Sequence, residues 1–173
     1  LGYVKHTQRV ALPHVQGLVL ENESEFVTMD AATRRNLEIS ETLRGEAAPT
    51  LLSLLDTTST SMGSRRLRHW LHHPLRDVNT LRLRHDAIRV LIGEPGRHYY
   101  DDLRETLKQI VDIERITARI ALGNARPRDL SGLRDSLAAE PILARLLAML
   151  DSPRIAVLSA ALHIDPRIES LLR

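Results

Sequence analysis

Residues 112–134, DIERITARIALGNARPRDLSGLR, carry the pattern of two helices joined by a turn. Leucine and isoleucine recur at intervals of three and four residues in the first half of this stretch and in the ten residues before it, which is the period of an amphipathic helix. Gly123 is suited to end a helix, and Pro127 is suited to the first turn of the next one. The pattern predicts one long helix over 101–122 and a second helix beginning at Pro127.

Helical signals extend over most of the chain. Further helices are predicted over 30–45, 50–55, 61–73 and 77–92, with two or three more after Pro141. Only EFVTM, residues 25–29, has the character of a short strand. Because aromatic residues make up only 3% of the chain, the core has to be built from Leu, Ile, Val and Ala, which favours helices. We therefore predict an all-α fold, an irregular multi-helix bundle with a short strand or extended remnant near the N-terminus.

The composition excludes several classes of protein. A chain of 173 residues suits one compact domain, or one domain with part of another. The absence of cysteine excludes disulfides and thiol catalysis, and no apolar run has the length of a membrane span. No glycine is followed by lysine, so the phosphate-binding P-loop is missing, and a Rossmann fingerprint is missing as well. The sequence therefore offers no nucleotide site.

The histidines suggest one enzymatic alternative. His69 and His73 are four residues apart on a predicted helix, which is the spacing of a metal-binding pair. A zincin motif also requires a glutamate directly after the first histidine, and Trp70 occupies that position. A metal-dependent phosphohydrolase would combine this pair with His85 and Asp86, and it would need further ligands that converge in the fold. A solvated polar helix face is the simpler interpretation, and we expect no catalytic, cofactor-binding or metal-binding residue.

The basic residues suggest a second alternative. The net charge is only +2, and arginine greatly outnumbers lysine among the 24 basic residues. The segment 65–89 is rich in arginine, which favours weak contacts of Arg65, Arg66 and Arg68 with phosphate groups. A free-standing helical DNA-binding module that uses this segment is therefore an alternative. A helix-turn-helix is disfavoured because Pro74 and a long connection separate the two helices.

The helix predicted over 30–45 contains an unusual arrangement of charges. Asp30, Arg34 and Glu38 follow one another at intervals of four residues, so that the arginine has a carboxylate on either side. Asn36 falls on the face of this helix that should be apolar. Because an unsatisfied buried amide costs about 1–3 kcal/mol, we hypothesise that Asn36 bonds the backbone of a neighbouring loop.

Charged residues also flank the turn at Pro127 within residues 112–134. Glu114, Arg115 and Arg119 precede the turn, and Arg126 and Asp129 bracket it. We interpret them as a structural set of ion pairs that joins two helices, in preference to a ligand site.

Three long and unusual stretches carry a family resemblance. They are FVTMDAATRRNLEI (26–39), LLDTTSTSMGSRRLRHWLHHPLRD (54–77) and residues 112–134. In this order and spacing they resemble the core, or lever, domain of the MutS family of DNA mismatch repair proteins. Residues 1–20 resemble the end of the connector domain of that family. The resemblance implies that residues 1–25 are the end of the connector domain and a linker, and that 26–173 are the helical core domain, truncated before the clamp.

The resemblance implies structural or interdomain roles for the residues that match the motifs of the family. They are Asp30, Arg34, Arg35, Asn36, Leu37, Glu38, Gly63, Arg65, Trp70, Leu71, Pro74, Glu114, Arg115, Arg119, Pro127, Asp129 and Leu130. Among them, Gly63 is expected to let another backbone approach its helix closely.

The resemblance also implies a function. In the MutS family a homodimer encircles and bends mismatched duplex DNA, and an ATPase domain, with ATP and Mg, switches it to a sliding form that recruits MutL. The core domain transmits movement between these parts. The family's mismatch-reading Phe-x-Glu is missing, since the sole Phe reads Phe26-Val27-Thr28, and the Walker motif is missing as well.

We therefore expect a non-catalytic piece of a larger machine. The resemblance implies a cytoplasmic, nucleoid-associated bacterial protein without a membrane partner. On its own, the piece is expected to be monomeric, to bind no cofactor, and neither to recognise a mispair nor to hydrolyse ATP.

Overall fold

The computed structural model describes residues 23–96 and 98–172. A 3-10 turn at Glu23–Glu25 precedes a series of α-helices. The helices are α1 (Ala31–Asn36), α2 (Leu51–Leu55), α3 (Ser61–His72), α4 (Val78–Ile92), α5 (Tyr99–Leu107), α6 (Ile113–Ala121), α7 (Pro127–Leu137), α8 (Glu140–Ala148), α9 (Pro153–Ala161) and α10 (Pro166–Leu171). No β-strand occurs in these ranges, so the predicted all-α fold is confirmed. The residues that resemble a connector domain, 1–20, lie outside the described residues.

The hydrophobic core lies where α4, α5, α8 and α9 pack together. Its buried side chains are Ala87, Leu103, Leu143, Leu150 and Ile155. These are aliphatic, as the scarcity of aromatic residues requires. Within the described ranges, no helix combines the length and the apolar character that are needed to cross a membrane.

The N-terminal part of the described chain is attached to the residues that follow α3. Phe26 and Leu75 form a single antiparallel bridge. On either side of it, the Val27 N–H donates to the Pro74 carbonyl at 2.7 Å, and the Arg76 N–H donates to the Glu25 carbonyl at 2.9 Å. The short strand predicted at 25–29 is therefore an extended segment with one bridge.

The long helix predicted over 101–122 is wrong, because two helices occupy that range. Residues 108–112 separate α5 from α6. Within this break, the Val111 N–H donates to the hydroxyl of Ser136 on α7 at 3.0 Å. The Asp112 carboxylate accepts from a first-turn N–H of α6 at 3.2 Å. This cap starts a new helix, although the spacing of the isoleucines continues across the break.

The helix predicted over 30–45 is also wrong beyond its first turns. It ends at Asn36, and Glu38 has a φ of +45°. The carbonyls of Glu38 and Ile39 accept hydrogen bonds from the first two N–H groups of α2 at 3.0 and 2.8 Å. Contact with α2 thus overrides the local helix propensity.

The ion pairs predicted on that helix do not form among the described residues. Asp30 instead caps α1 by accepting from a first-turn N–H at 2.6 Å, and Glu38 accepts from the Leu43 N–H at 2.8 Å. The buried Nε of Arg34 has no hydrogen-bond partner in the described part of the chain. Asn36 is exposed at the end of the short helix, so the hypothesis that it bonds a loop from an apolar face is wrong.

Candidate functional site

Arg65 connects α3 to the start of α6. Its Nη1 and Nη2 donate to the two oxygens of Asp112 at 2.8 and 2.7 Å. Its Nη2 and Nε also donate to Oε2 of Glu114 at 2.6 and 3.2 Å. We call these three residues the Arg65 junction. The hydrogen bonds to Asp112, and then those to Glu114, raise the pKa of Arg65 above its ordinary value.

Asp112 serves three groups at once. Besides Arg65, it accepts from the Arg115 N–H at 3.2 Å and from the Ser61 hydroxyl at 3.1 Å. Hydrogen bonding from Arg65 is the largest cause that holds the pKa of Asp112 well below its usual range, although burial acts in the opposite direction. One carboxylate therefore caps α6 and fixes the start of α3 against it.

A second ion pair connects α6 to α7. Nη1 of Arg119 donates to both oxygens of Asp129 at 2.9 and 3.1 Å. Asp129 is buried and also accepts from the Arg126 N–H at 3.0 Å. This backbone hydrogen bond, with the further help of Arg119, lowers the pKa of Asp129. Because Asp129 holds the turn before α7 as well as Arg119, the helix pair is fixed at its connection.

The expected set of ion pairs is thus found in part. Arg119 and Asp129 are paired across the two helices. Glu114 pairs with Arg65 and not with its neighbours, and the guanidinium of Arg115 forms no ion pair within the described ranges. Arg65, which was expected to contact phosphate, is occupied by two carboxylates. Asp112 was not among the predicted site residues, although an aspartate directly before an apolar helical stretch is an N-cap signal.

The turn before α3 packs against Gly63. A side chain at this position would place its Cβ 3.2 Å from both Thr58 Cβ and Thr60 Oγ1. Asp56 holds the turn, because it accepts from the Ser64 hydroxyl and from the hydroxyl and N–H of Thr58, and these bonds, in that order, lower its pKa. The absence of a side chain at Gly63 therefore leaves room for two threonine side chains. The sequence predicted the close approach of another backbone, and the nearest atoms belong instead to these side chains.

The histidines at the end of α3 and at its C-cap contact one another and the extended segment. The rings of His69 and His73 are stacked with centroids 4.6 Å apart, and Phe26 meets His73 edge-on at 5.7 Å. His72 Nε2 lies 2.8 Å from the Ser40 hydroxyl. Burial, with the charges of Arg34, Arg68 and His73, lowers the pKa of His72. These rings serve as packing groups between α3 and the residues before α2.

The arrangement required for a metal-dependent phosphohydrolase is not found in the described ranges. No group of three or more His, Asp or Glu side chains there has the geometry to hold a metal ion. Asp86 pairs with Arg89 on the same helix at 3.3 Å. That alternative therefore has no geometric support.

Trp70 lies between arginines and is not in the core. Its side chain remains 38% exposed. The guanidinium carbon of Arg84 lies 4.2 Å from the ring centroid, and that of Arg66 lies 5.9 Å from it. This face of α3 is therefore an accessible surface that combines an aromatic ring with positive charge.

The other residues of the family motifs lie at helix ends or on exposed surfaces. Arg35 donates to the Leu43 carbonyl at 3.3 Å and, with Arg34 and His72, lines an open cavity of about 620 Å³. Leu37 and Leu130 are exposed, and Leu71 is half-buried. Pro127 occupies the first position of α7, and Pro74 follows His73, the C-cap residue of α3.

A family model described as MutS domain III matches residues 32–172. The chain belongs to the MutS family. The match covers nearly all of the described helices and every residue of the Arg65 junction and of the Arg119–Asp129 pair. The MutS family in general binds mismatched DNA and forms dimers, and this chain corresponds to its core domain. Membership of the family therefore indicates a role in DNA mismatch repair. The described residues themselves show structural ion pairs.

Proposed function

We propose that this chain is a non-catalytic linkage that couples the ATPase domain of a MutS-family protein to its DNA clamp. The observation that supports this most directly is the Arg65 junction. It joins two helices that are far apart in sequence through one guanidinium and two carboxylates.

The position of α6 explains why the junction suits a linkage. The start of α6 is bonded to α3 through Asp112, and its far end is bonded to α7 through Arg119 and Asp129. Charge-assisted hydrogen bonds with two donors or two acceptors fix orientation as well as distance. A helix held at both ends moves together with its neighbours, which is what the transmission of a displacement requires.

The intact protein would supply the chemistry. In this proposal ATP and Mg bind to the ATPase domain, mismatched duplex DNA binds to the clamp and mismatch-reading parts, and MutL binds to the ATP-loaded homodimer. The chain itself holds no cofactor and acts at the bacterial nucleoid as part of that assembly. Detectable ATP hydrolysis by the 173-residue chain alone would contradict this assignment.

The test uses the intact MutS-family protein that contains this chain. Arg65→Gln removes the charge that holds the junction. The matched control is Glu105→Gln, which breaks an exposed ion pair with Lys108 (2.6 Å) that is confined to the end of one helix. Three quantities are measured: affinity for a mismatched duplex, ATP hydrolysis without DNA, and the rate of ATP-triggered departure from the mismatch.

We expect Arg65→Gln to slow ATP-triggered departure by about 2- to 30-fold, the range of 0.5–2 kcal/mol for residues along a coupling route. DNA affinity and basal hydrolysis should stay near wild type, and Glu105→Gln should change none of the three. An unchanged departure rate in Arg65→Gln would contradict the proposal. Parallel loss of all three quantities would indicate general unfolding, and circular dichroism identifies that case.

A further inference from the structure

Two arginines from different helices lie against Trp70, and a third lies on a helix that packs against one of these helices. Arg66 on α3 and Arg84 on α4 lie against the indole ring, at 5.9 and 4.2 Å from its centroid. Arg154 is in the first turn of α9, which packs against α4, and its charge acts on Arg84. We call Arg66, Arg84 and Arg154 the arginine cluster. Because each residue lies on a helix of the packed body, the three charges are held on a common framework.

The arginine cluster has no compensating carboxylate within residues 23–96 and 98–172. Arg65, Arg89 and Arg119 each pair with an aspartate, whereas no ion pair involves a member of the cluster there. Burial, then the charge of Arg154 and then that of Arg66, lower the pKa of Arg84. Like charges that are held together without a counter-charge form a surface that gains free energy when an anion binds.

We propose that the arginine cluster binds the phosphate backbone of duplex DNA. Guanidinium groups match phosphate oxygens in geometry and charge. Arg84 already lies over the Trp70 ring, so the site offers charge and not a free aromatic platform on which bases could stack. Contacts of this kind position a duplex without reading its sequence.

The arginine cluster includes Arg66 from the phosphate contacts that the sequence predicted, and the predicted contact of Arg68 stays a prediction. Arg65 is paired with Asp112 and Glu114. The fold brings Arg84 to the same ring as Arg66, although the two are distant in sequence, and α9 carries Arg154 next to α4. This inference is independent of the linkage role, since a rigid linkage needs no DNA contact of its own.

The expected dependence of DNA affinity on salt concentration follows from the release of counterions. The logarithm of the association constant falls with the logarithm of salt concentration with a slope of about −0.9 for each phosphate neutralised. Three arginines therefore predict a slope of about −2.7, and each arginine removed should reduce its magnitude by about 0.9. A contact of this size is weak and independent of base sequence.

Trp70 provides the readout, because it is the only tryptophan of the chain. The 173-residue chain is titrated with a short, fully paired duplex at several salt concentrations, and the tryptophan emission is recorded. Arg66→Gln and Arg154→Gln each remove one charge without removing the contact between Arg84 and Trp70. Arg82→Gln, at an exposed position on α4, removes the same charge outside the cluster and serves as the matched control. Thermal unfolding of each variant establishes that it is folded.

We expect the duplex to change the Trp70 emission with a salt slope near −2.7, and each cluster variant to reduce the slope by about 0.9 while Arg82→Gln does not. An equal reduction of the salt slope in Arg82→Gln and in the cluster variants would overturn the proposal, because the overall positive charge of the chain would then explain the binding. Inorganic phosphate that saturates the signal at a lower phosphate concentration than the duplex would also overturn it. The same holds for an oligoglutamate peptide that binds more tightly than the duplex, since the occupant would then be an acidic protein segment.

Discussion

Substitutions of Asp112 separate its two structural contributions. Asp112→Asn keeps an oxygen that can cap α6 but removes the charge that faces Arg65, whereas Asp112→Ala removes both. Loss of an N-cap costs about 1 kcal/mol, and loss of a solvent-accessible ion pair costs about 0.5–1 kcal/mol. We therefore expect the free energy of unfolding to fall by about 0.5–1 kcal/mol in Asp112→Asn and by about 1.5–2 kcal/mol in Asp112→Ala.

Urea unfolding of the chain, followed by circular dichroism at pH 7, measures both differences. At this chain length 1 kcal/mol corresponds to about 2–4 °C in the melting temperature, so Asp112→Ala should melt about 3–8 °C below wild type. Equal destabilisation by the two variants would show that the cap contributes nothing. Wild-type stability in Asp112→Asn would refute the reasoning that the ion pair stabilises the fold.

The dependence of the folding stability on pH shows whether the charge of Asp112 stabilises or destabilises the fold. The pKa of Asp112 is lower in the folded chain than in the unfolded chain. The stabilisation is therefore fully present above the unfolded carboxyl pKa of about 3.9 and is lost as the pH falls toward the folded value. The difference between wild type and Asp112→Asn should be constant from pH 7 to about 5 and shrink at lower pH. A difference in stability that grew as the pH fell would contradict the conclusion that the ionised Asp112 carboxylate stabilises the fold.

Three further substitutions test other parts of the fold, each by urea unfolding. Asn36→Ala should change the stability by less than about 0.5 kcal/mol because the side chain is exposed, and a larger loss would show a bond that the structure lacks. Gly123→Ala should cost about 1–2 kcal/mol, because φ is +69° there while no atom lies within 4 Å of the added Cβ; wild-type stability would mean that the turn relaxes. Ile155→Ala should cost about 2–5 kcal/mol because this side chain is 2% exposed in the core, and a loss below 1 kcal/mol would place it outside the core.

The starts of α4 and α7 were predicted, because a capping side chain or a proline specifies each of them. Asp77 caps α4 through two first-turn N–H groups, and Pro127 is the first residue of α7. These signals are local, so the sequence contains them in full. The helix ends at Asn36 and Leu107 were missed, because they depend on contacts with α2 and α7 that no local pattern records.

The site was predictable to a smaller extent for a related reason. The pairing of Arg119 with Asp129 crosses a short turn, and its partners are near one another in sequence. Arg65 and Asp112 belong to helices that only the tertiary fold brings together, so charge pattern alone assigned Arg65 to phosphate. The position of Arg154 near Arg84 depends on the packing of α9 against α4, which periodicity does not specify.

A double-mutant cycle in the intact protein tests the linkage most directly. Arg65→Gln, Asp112→Asn and the combination of the two are compared for the ratio of departure rates from a mismatched duplex with and without ATP. If the two residues act through one junction, the double variant will lose no more of this ratio than the more severe single variant. Losses that multiply, or a ratio that stays at the wild-type value in all three variants, would contradict the account.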